Sequence, residues 1–329
     1  MIVNPSLGNA QQSEPDFFEV KVASKSKLAE SIYLFELVDP AGKSLPTFTA
    51  GSHITVETPS GVRRNYSLCN DPSEASRYQI AIKRDAEGRG GSVSMADKVI
   101  EGASLKISAP RNNFELTERA TKFLFIAGGI GITPIMSMMR HLKASGNDNF
   151  RLIYSINGAE SAAFLDELTG PAFTGQVEVH YHRGDRQNVY DFWPVFETPT
   201  NEHIYCCGPR RLMEEVADMS GHWPTSAIHF ESFGIDAAAY AANTAFKVKI
   251  QGSGLELEVA EDQSILEALR GAGIKVPSSC ESGTCGSCRT RLIAGEAEHR
   301  DMVLSEEEKQ DNIMVCVSRA KSPELVLGL

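Results

Sequence analysis

The chain has 329 residues, 42% of them hydrophobic and 23% charged, and a formal net charge of −11. That length exceeds one ordinary core and calls for two or three domains. The acidic balance argues against nucleic acid and anionic membrane surfaces as main partners. Met1 does not open a basic n-region followed by an apolar h-region. No export signal is therefore expected, and a reducing cytoplasm is the expected location.

Residues 1–15 are polar and aperiodic and read as a loose tail. From Phe17 the pattern turns strand-like: Phe18, Val20 and Val22 alternate with polar neighbours, as do Ile32, Leu34 and Glu36. Further short strands are expected at His53–Glu57, Tyr66–Cys69 and Tyr78–Lys83, with Gly, Pro and Asp between them. Many short strands at this spacing predict a small antiparallel β-barrel over residues 16–117.

Two stretches of the barrel could carry chemistry. Arg63-Arg64-Asn65-Tyr66-Ser67-Leu68 would send Arg64 and Tyr66 to one face. Gly88-Arg89-Gly90-Gly91-Ser92 precedes a helix expected from Val93, and amides at a helix start bind anions. Together they could hold a phosphate between Arg64 and Ser92, with Tyr66 against a ring. Taken alone, each is equally an ordinary surface arginine, a core tyrosine and a flexible turn.

Over residues 118–234 the texture is α/β. Phe123–Ala127 is a continuous apolar run, as a buried parallel strand requires. Its glycines and proline suit strand–turn–helix better than a membrane span. Gly128-Gly129-Ile130-Gly131-Ile132-Thr133-Pro134 follows, with Thr133 expected as N-cap and Pro134 at the first helical position. Pro134 stands where a dinucleotide fingerprint needs its third glycine.

Strands are expected at Arg151–Ser155, Val177–His180 and His203–Cys207, with a helix near Ala162–Leu168 and another after Pro209. A parallel sheet would place Gly131 and Cys207 at strand carboxyl ends, where ligands bind. A lone Cys207 is otherwise a small buried hydrophobe, and Met138, Met139, Met213 and Met219 read as core.

Residues 235–245 read as a linker. From Phe246 to Leu329 an α+β pattern begins: Phe246, Val248 and Ile250, then Leu255, Leu257 and Val259. Ser264-x-x-Glu267 fits a capping box, with Gly271 as the expected stop. Strands at Arg289–Ile293 and Ile313–Val317 follow, the second bringing in Cys316.

Between them lie Cys280, Cys285 and Cys288, spaced Cys-x4-Cys-x2-Cys, the plant-type pattern for a [2Fe–2S] cluster. Gly283 and Gly286 would allow the positive φ of a loop wrapped on a flat cluster, and Ser279, Ser282 and Ser287 could donate to sulfur. Structural zinc favours two short cysteine pairs, and disulfides fit poorly with seven cysteines. Buried free thiols would not need the glycines.

Arg64-x-Tyr66-Ser67-Leu68, Gly90-Gly91-Ser92, the Gly128–Pro134 turn, Cys207-Gly208-Pro209 and the cysteine loop occur here in one order. That order resembles the phthalate dioxygenase reductase group within the ferredoxin–NADP⁺ reductase-like flavoproteins, over nearly the whole chain from Phe17.

The resemblance implies three domains: a flavin barrel, an NADH-binding α/β domain and a ferredoxin-like β-grasp domain. FMN would lie on Arg64, Asn65, Tyr66, Ser67, Ala81, Ile82, Lys83, Gly90, Gly91, Ser92 and Phe233. NADH would lie on Gly129, Gly131, Thr133, Pro134, Cys207 and Gly208, with Ser155, Phe164 and Asp166 toward adenosine. Ser67, Thr133 and Cys207 would line the point of transfer. Cys280, Cys285, Cys288 and Cys316 would hold the cluster. Asn65 departs from the threonine expected there, and Ile153–Ala163 diverges.

The implied path runs from NADH through FMN and the cluster to a separate Rieske-type non-haem iron oxygenase of aromatic-ring catabolism, with the reductase monomeric. Plant-type clusters sit near about −400 mV, below Rieske centres, so the order runs downhill. An O-demethylase oxygenase or a cytochrome P450 is the alternative acceptor, and a redox sensor or binding module the second alternative. Ile156-Asn157-Gly158-Ala159-Glu160 lacks an arginine for a 2′-phosphate, which favours NADH over NADPH.

Overall fold

The computed structural model describes residues 17–88, 90–118, 120–185, 188–233, 243–278 and 281–329. The expected tail, most of the expected linker, Ser279 and Cys280 lie outside the described residues.

The first unit is an antiparallel barrel. Its strands are β1 (Phe17–Ala29), β2 (Ile32–Val38), β3 (Ser52–Glu57), β4 (Arg63–Ser67), β5 (Tyr78–Lys83) and β6 (Ser104–Ser108), with β7 (Arg111–Asn112) paired to β3. The strand order is β4-β3-β6-β1-β2-β5, and a Leu68–Ile80 bridge closes it. Helix α1 (Gly91–Lys98) lies between β5 and β6 in the chain.

Inside sit Val20, Val22, Phe35, Leu37, Ile54, Val56, Ile80 and Ile82. The face expected of the second strand needs correction. Phe35 and Leu37 point into the barrel, whereas Ile32 and Leu34 join a separate apolar cluster shared with the next unit. Both faces of β2 are apolar because both are covered.

The second unit is a five-stranded parallel sheet. It contains β8 (Phe123–Gly128), β9 (Phe150–Ile156), β10 (Val177–Tyr181), β11 (His203–Cys207) and β12 (Ile228–Glu231), in the order β10-β9-β8-β11-β12. Every residue of β8 is buried, as a central strand covered on both faces demands. Phe123, Phe125 and Ala127 share a cluster with Ile135, Met138 and Met139 of α2 (Ile132–Ala144). Leu124 and Ile126 face the other way, toward Phe196 of α4 (Trp193–Phe196) and Met213 and Val216 of α5 (Arg210–Met219).

Helix α2 starts earlier than expected. Gly131 precedes its first residue, and Thr133 lies inside the first turn, its hydroxyl donating to Ile130 O at 3.0 Å. The helix near Ala162–Leu168 shrinks to α3 (Leu165–Leu168).

The third unit orders β13 (Phe246–Ile250), β14 (Glu256–Val259), β15 (Arg289–Ala294), β17 (Asn312–Met314) and β19 (Glu324–Gly328) as β14-β13-β19-β15-β17. A small pair, β16 (Ala297–Glu298) and β18 (Arg319–Ala320), stands apart. Helix α6 (Ile265–Gly271) packs Ile265, Leu266 and Leu269 into this core and begins with the expected Ser264–Glu267 capping box. The left-handed stop is Gly273, at φ 76°, rather than Gly271. Cys316 does not lie on a strand: β17 ends at Met314, and the cysteine sits in the turn that follows.

Candidate functional site

The flavin-side residues gather on β4, β5 and the start of α1. Arg64 and Tyr66 do share a face, while Asn65 points outward and accepts from Thr55 Oγ1 at 2.8 Å. Arg64 lies against the helix start: a Cβ on Gly91 would come 2.9 Å from Arg64 Cγ and 3.2 Å from its Nε. Gly90, at φ 79°, makes the turn into α1, whose first turn carries no acidic residue. Ser92 Oγ accepts from the Asp85 amide at 3.1 Å. A guanidinium, the amides of a helix start and a first turn without an acidic residue suit a phosphate.

Tyr66 has a buried hydroxyl with no hydrogen-bond partner, and burial pushes its pKa up to about 12. A neutral, orphaned donor of this kind fits a site that a ligand completes. Ser67 is buried opposite His53, Ile82 belongs to the barrel core, Ala81 lies in the shared cluster and Lys83 is exposed. Lys25, which the sequence reading passed over, donates to Ala96 O and Val99 O at the far end of α1, at 2.5 and 2.8 Å. Its lysine-over-ring contacts with Tyr33 and Phe35 were invisible without the strand pairing.

The nicotinamide-side residues meet at the carboxyl ends of β8 and β11. The two turns touch backbone to backbone. A Cβ on Gly131 would sit 2.2 Å from Cys207 O, and one on Gly128 would sit 2.5 Å from Pro209 Cδ. Gly208 is confined too, since a Cβ there would come 2.9 Å from Gly128 N. Gly129 takes φ 54° with open space where a side chain would go, and Tyr154 donates to its carbonyl at 3.0 Å. The cradle is therefore one that only glycines permit.

Cys207 is fully buried, and burial, with Glu231 next in effect, pushes its thiol well up. It stays a neutral thiol at pH 7, so its role is contact and shape rather than nucleophilic attack. Glu231 pairs with Cys207 across β11 and β12 and was missed in the sequence, where it carries no motif. Phe233, 49% exposed, follows it at the same sheet end.

Ser155 reaches this edge beside Gly128, and Asp166 is exposed on α3. Phe164 is different: its ring is buried beneath the Arg140 guanidinium at 5.3 Å, so it is packed rather than presented. A cleft of about 680 Å³ lies at the opposite, amino ends of β8 and β9. There Lys122 and Arg151 are paired with buried Glu202, and none of the expected site residues lines it.

In the third unit Gly283 and Gly286 both adopt φ 79°, as the loop requires. A Cβ on Gly283 would strike Val317 Cγ2 at 2.8 Å and Asp301 Cα at 3.1 Å. Cys288 and Cys316 are buried, and Cys285 Sγ lies 2.9 Å from Ser287 Oγ. Among the described residues no three His, Cys, Asp or Glu side chains converge on a single ion. A [2Fe–2S] cluster shares four thiolates between two irons, and the donor set here suits it.

Comparison with known proteins agrees with each unit. Residues 19–116 match the oxidoreductase FAD-binding domain family, 125–218 the oxidoreductase NAD-binding domain family, and 248–321 the 2Fe-2S iron-sulfur cluster binding domain family. The chain is thus an NAD-dependent iron–sulfur flavoprotein oxidoreductase, with a flavin, a nicotinamide nucleotide and a [2Fe–2S] cluster as its redox groups.

It is 56% identical to the phthalate 4,5-dioxygenase oxygenase reductase subunit of Pseudomonas putida, over 98% of this chain and 100% of that one. Identity to the phthalate dioxygenase reductase of Burkholderia cepacia is 53%, over 96% and 98%. A solved structure of phthalate dioxygenase reductase superposes with a TM-score of 0.78 at 54% identity, covering 95% of this chain and 98% of that one. The chain belongs to the phthalate dioxygenase reductase family. It passes electrons from the pyridine nucleotide through flavin and cluster to a separate oxygenase component.

Proposed function

We propose that this reductase carries FMN, prefers NADH, and serves a Rieske-type oxygenase that acts on a phthalate-like aromatic acid. The observation that carries the reading is end-to-end similarity to two phthalate dioxygenase reductases, with the flavin, nucleotide and cluster units in one order. When bound, the three groups supply a hydride donor, a two-to-one electron converter and a one-electron carrier.

The chain's residues do the holding. Arg64, Ser92 and the Gly90–Gly91 amides would take the flavin phosphate, with Tyr66 and Ser67 beside its ring. Gly129–Pro134, Cys207 and Gly208 would hold the nicotinamide beside the buried side chains of Ile132 and Tyr154. Cys280, Cys285, Cys288 and Cys316 would hold the cluster.

Glu160 supports NADH. Its carboxylate folds back onto Gly158 in the loop after β9, where a 2′-phosphate would meet negative charge. One observation favours NADPH instead: Arg183 stands in the adjoining loop, its amide donating to Asn157 O at 2.9 Å. We assign the protein to the cytoplasm as a monomer. Among the described residues no helix is long and apolar enough to cross a membrane.

The test is reconstitution with a purified phthalate dioxygenase oxygenase component. NADH consumption coupled to phthalate oxidation, with FMN as the flavin released on denaturation, is the expected result. Release of FAD, equal turnover with NADPH, or NADH oxidation that the oxygenase cannot use would each overturn its part of the reading.

A further inference from the structure

Helix α2 begins at the nicotinamide turn and then crosses to the flavin barrel. One turn farther along, two of its side chains grip the barrel backbone. Ser137 Oγ donates to Asn70 O at 2.8 Å, and Arg140 Nη1 donates to Cys69 O at 2.6 Å. The guanidinium is held from behind by Glu167, whose carboxylate accepts from Nε at 2.8 Å and also from Nη2. A fork-to-fork pair of this kind fixes direction as well as distance.

Residues 69 and 70 are not an arbitrary stretch of loop. They form the elbow that leaves β4 and returns to β5, the two strands carrying the flavin-side residues. Asn70 is fully buried and stiffens that elbow: its Nδ2 donates to Arg77 O at 3.1 Å, and its Oδ1 accepts from the Gln79 amide at 2.9 Å. The Cys69 amide donates to Gln79 O at 2.9 Å. The elbow therefore moves as one piece with both strands.

We infer that Ser137 and Arg140, braced by Glu167, are positioning residues that set the register between nicotinamide and flavin. None of the three is among the residues placed around the nicotinamide or the flavin, and Arg140 meets the adenosine side only through the buried ring of Phe164. Instead, a single rigid helix has the nicotinamide turn at its start and the flavin strands in its grip. The inference rests on the flavin and nucleotide sites placed above. It makes a specific demand: loss of the grip should slow flavin reduction by NADH without a matching loss of NADH binding. Misplacement by about 1 Å can cost on the order of 100-fold in rate, so a 10- to 100-fold fall is expected.

The experiment uses the loaded holoprotein and compares Ser137→Ala, Arg140→Met and the double variant Arg140→Met/Glu167→Gln. Arg140→Met alone strands a carboxylate and is expected to lower the melting temperature; the double variant removes that cost. Three quantities are read: the NADH dissociation constant, the rate of flavin bleaching on rapid mixing, and the long-wavelength charge-transfer absorbance of the NADH–flavin pair. The expected result is a double variant that melts like the parent and binds NADH within about threefold, yet bleaches slowly and has a weakened charge-transfer band. Recovery of the rate together with stability would show a structural role only and sink the inference. A loss confined to NADH affinity would sink it too. A parent protein whose flavin NADH does not bleach would instead overturn the underlying site reading.

Discussion

Gly131 is built against the carbonyl of Cys207, so closely that a Cβ would come within 2.2 Å of that oxygen and 2.8 Å of the Gly208 nitrogen. The contact is backbone to backbone, and no rotamer change can relieve it. Gly131→Ala must therefore push the β8 and β11 turns apart, at a cost of about 1–3 kcal/mol for overpacking. The proposed nucleotide cradle lies between those turns, while the strands proposed for the flavin lie in another unit. The flavin spectrum should stay as in the parent, and the NADH dissociation constant should rise about 5- to 150-fold for that cost. Titration of the parent and Gly131→Ala with NADH checks it. An unchanged constant would mean that the cradle does not bind the nucleotide.

Tyr66 supplies the second prediction. Its hydroxyl is buried without a hydrogen-bond partner, and an unpaired buried donor destabilises the protein that carries it. Tyr66→Phe should leave the melting temperature of the flavin-free protein unchanged or slightly higher. If the hydroxyl serves the flavin, the same variant should hold flavin about tenfold more weakly, near the value of one hydrogen bond. Calorimetric titration of the flavin-free protein with FMN measures this. Equal affinity in both proteins would place the hydroxyl off the ligand.

The barrel, the parallel sheet and the cluster loop were legible in the sequence because each leaves a local mark. Alternation marked β1 and β2, a continuous apolar run marked β8, and glycines beside cysteines marked positions 283 and 286. What failed was everything that depends on a distant neighbour. Leu34 and Phe35 are both apolar, and only the packing of a second unit on the barrel decides which of them faces which core. Thr133 looked like a cap because threonine before proline usually is one. The tight Gly131–Cys207 contact instead starts the helix earlier and turns the hydroxyl back onto Ile130. Glu231, Lys25 and Arg140 carry no motif, and their partners lie 24, 71 and 71 residues away.

His203 and His229 form a neutral pair across β11 and β12, with Nδ1 and Nε2 3.1 Å apart and Tyr205 stacked on His229 at 4.3 Å. Burial, with repulsion from His203, pushes His229 down to about 4, and burial lowers His203 as well. Folded-state values below the ordinary 6.5 mean that the unfolded chain binds the proton first. Stability from this pair is thus complete above pH 6.5 and is lost as pH falls toward 4. His229→Phe keeps a stacked ring and removes the larger of the two shifts, along with the repulsion between it and His203. Its melting temperature should fall less than the parent's between pH 7 and 5, with acid loss of the cluster common to both. Parallel curves would show that the pair does not titrate on unfolding.

Met302 joins two units through one residue. Its amide donates to Gly283 O in the cluster loop at 3.0 Å, while its side chain packs against the apolar cluster of α4 and α5 that holds Met213 and Val216. Beside it, Arg210 at the start of α5 helps to hold the Glu298 carboxyl below its usual range, with Arg300 as the larger cause. The cluster loop is therefore tied to the nucleotide unit by a half-buried thioether and a weak charge attraction. Truncation to alanine should cost about 1–2 kcal/mol of docking, less than for a fully buried methionine. Each 1.4 kcal/mol lowers the docked-to-undocked ratio about tenfold. Met302→Ala should then pass electrons to ferricyanide, which flavin can reduce directly, at the parental rate. Reduction of cytochrome c through the cluster should fall several-fold, and Met302→Leu, which restores the apolar volume, should recover it. If the two acceptors slow together, the side chain is not an anchor for the cluster unit but part of the common core.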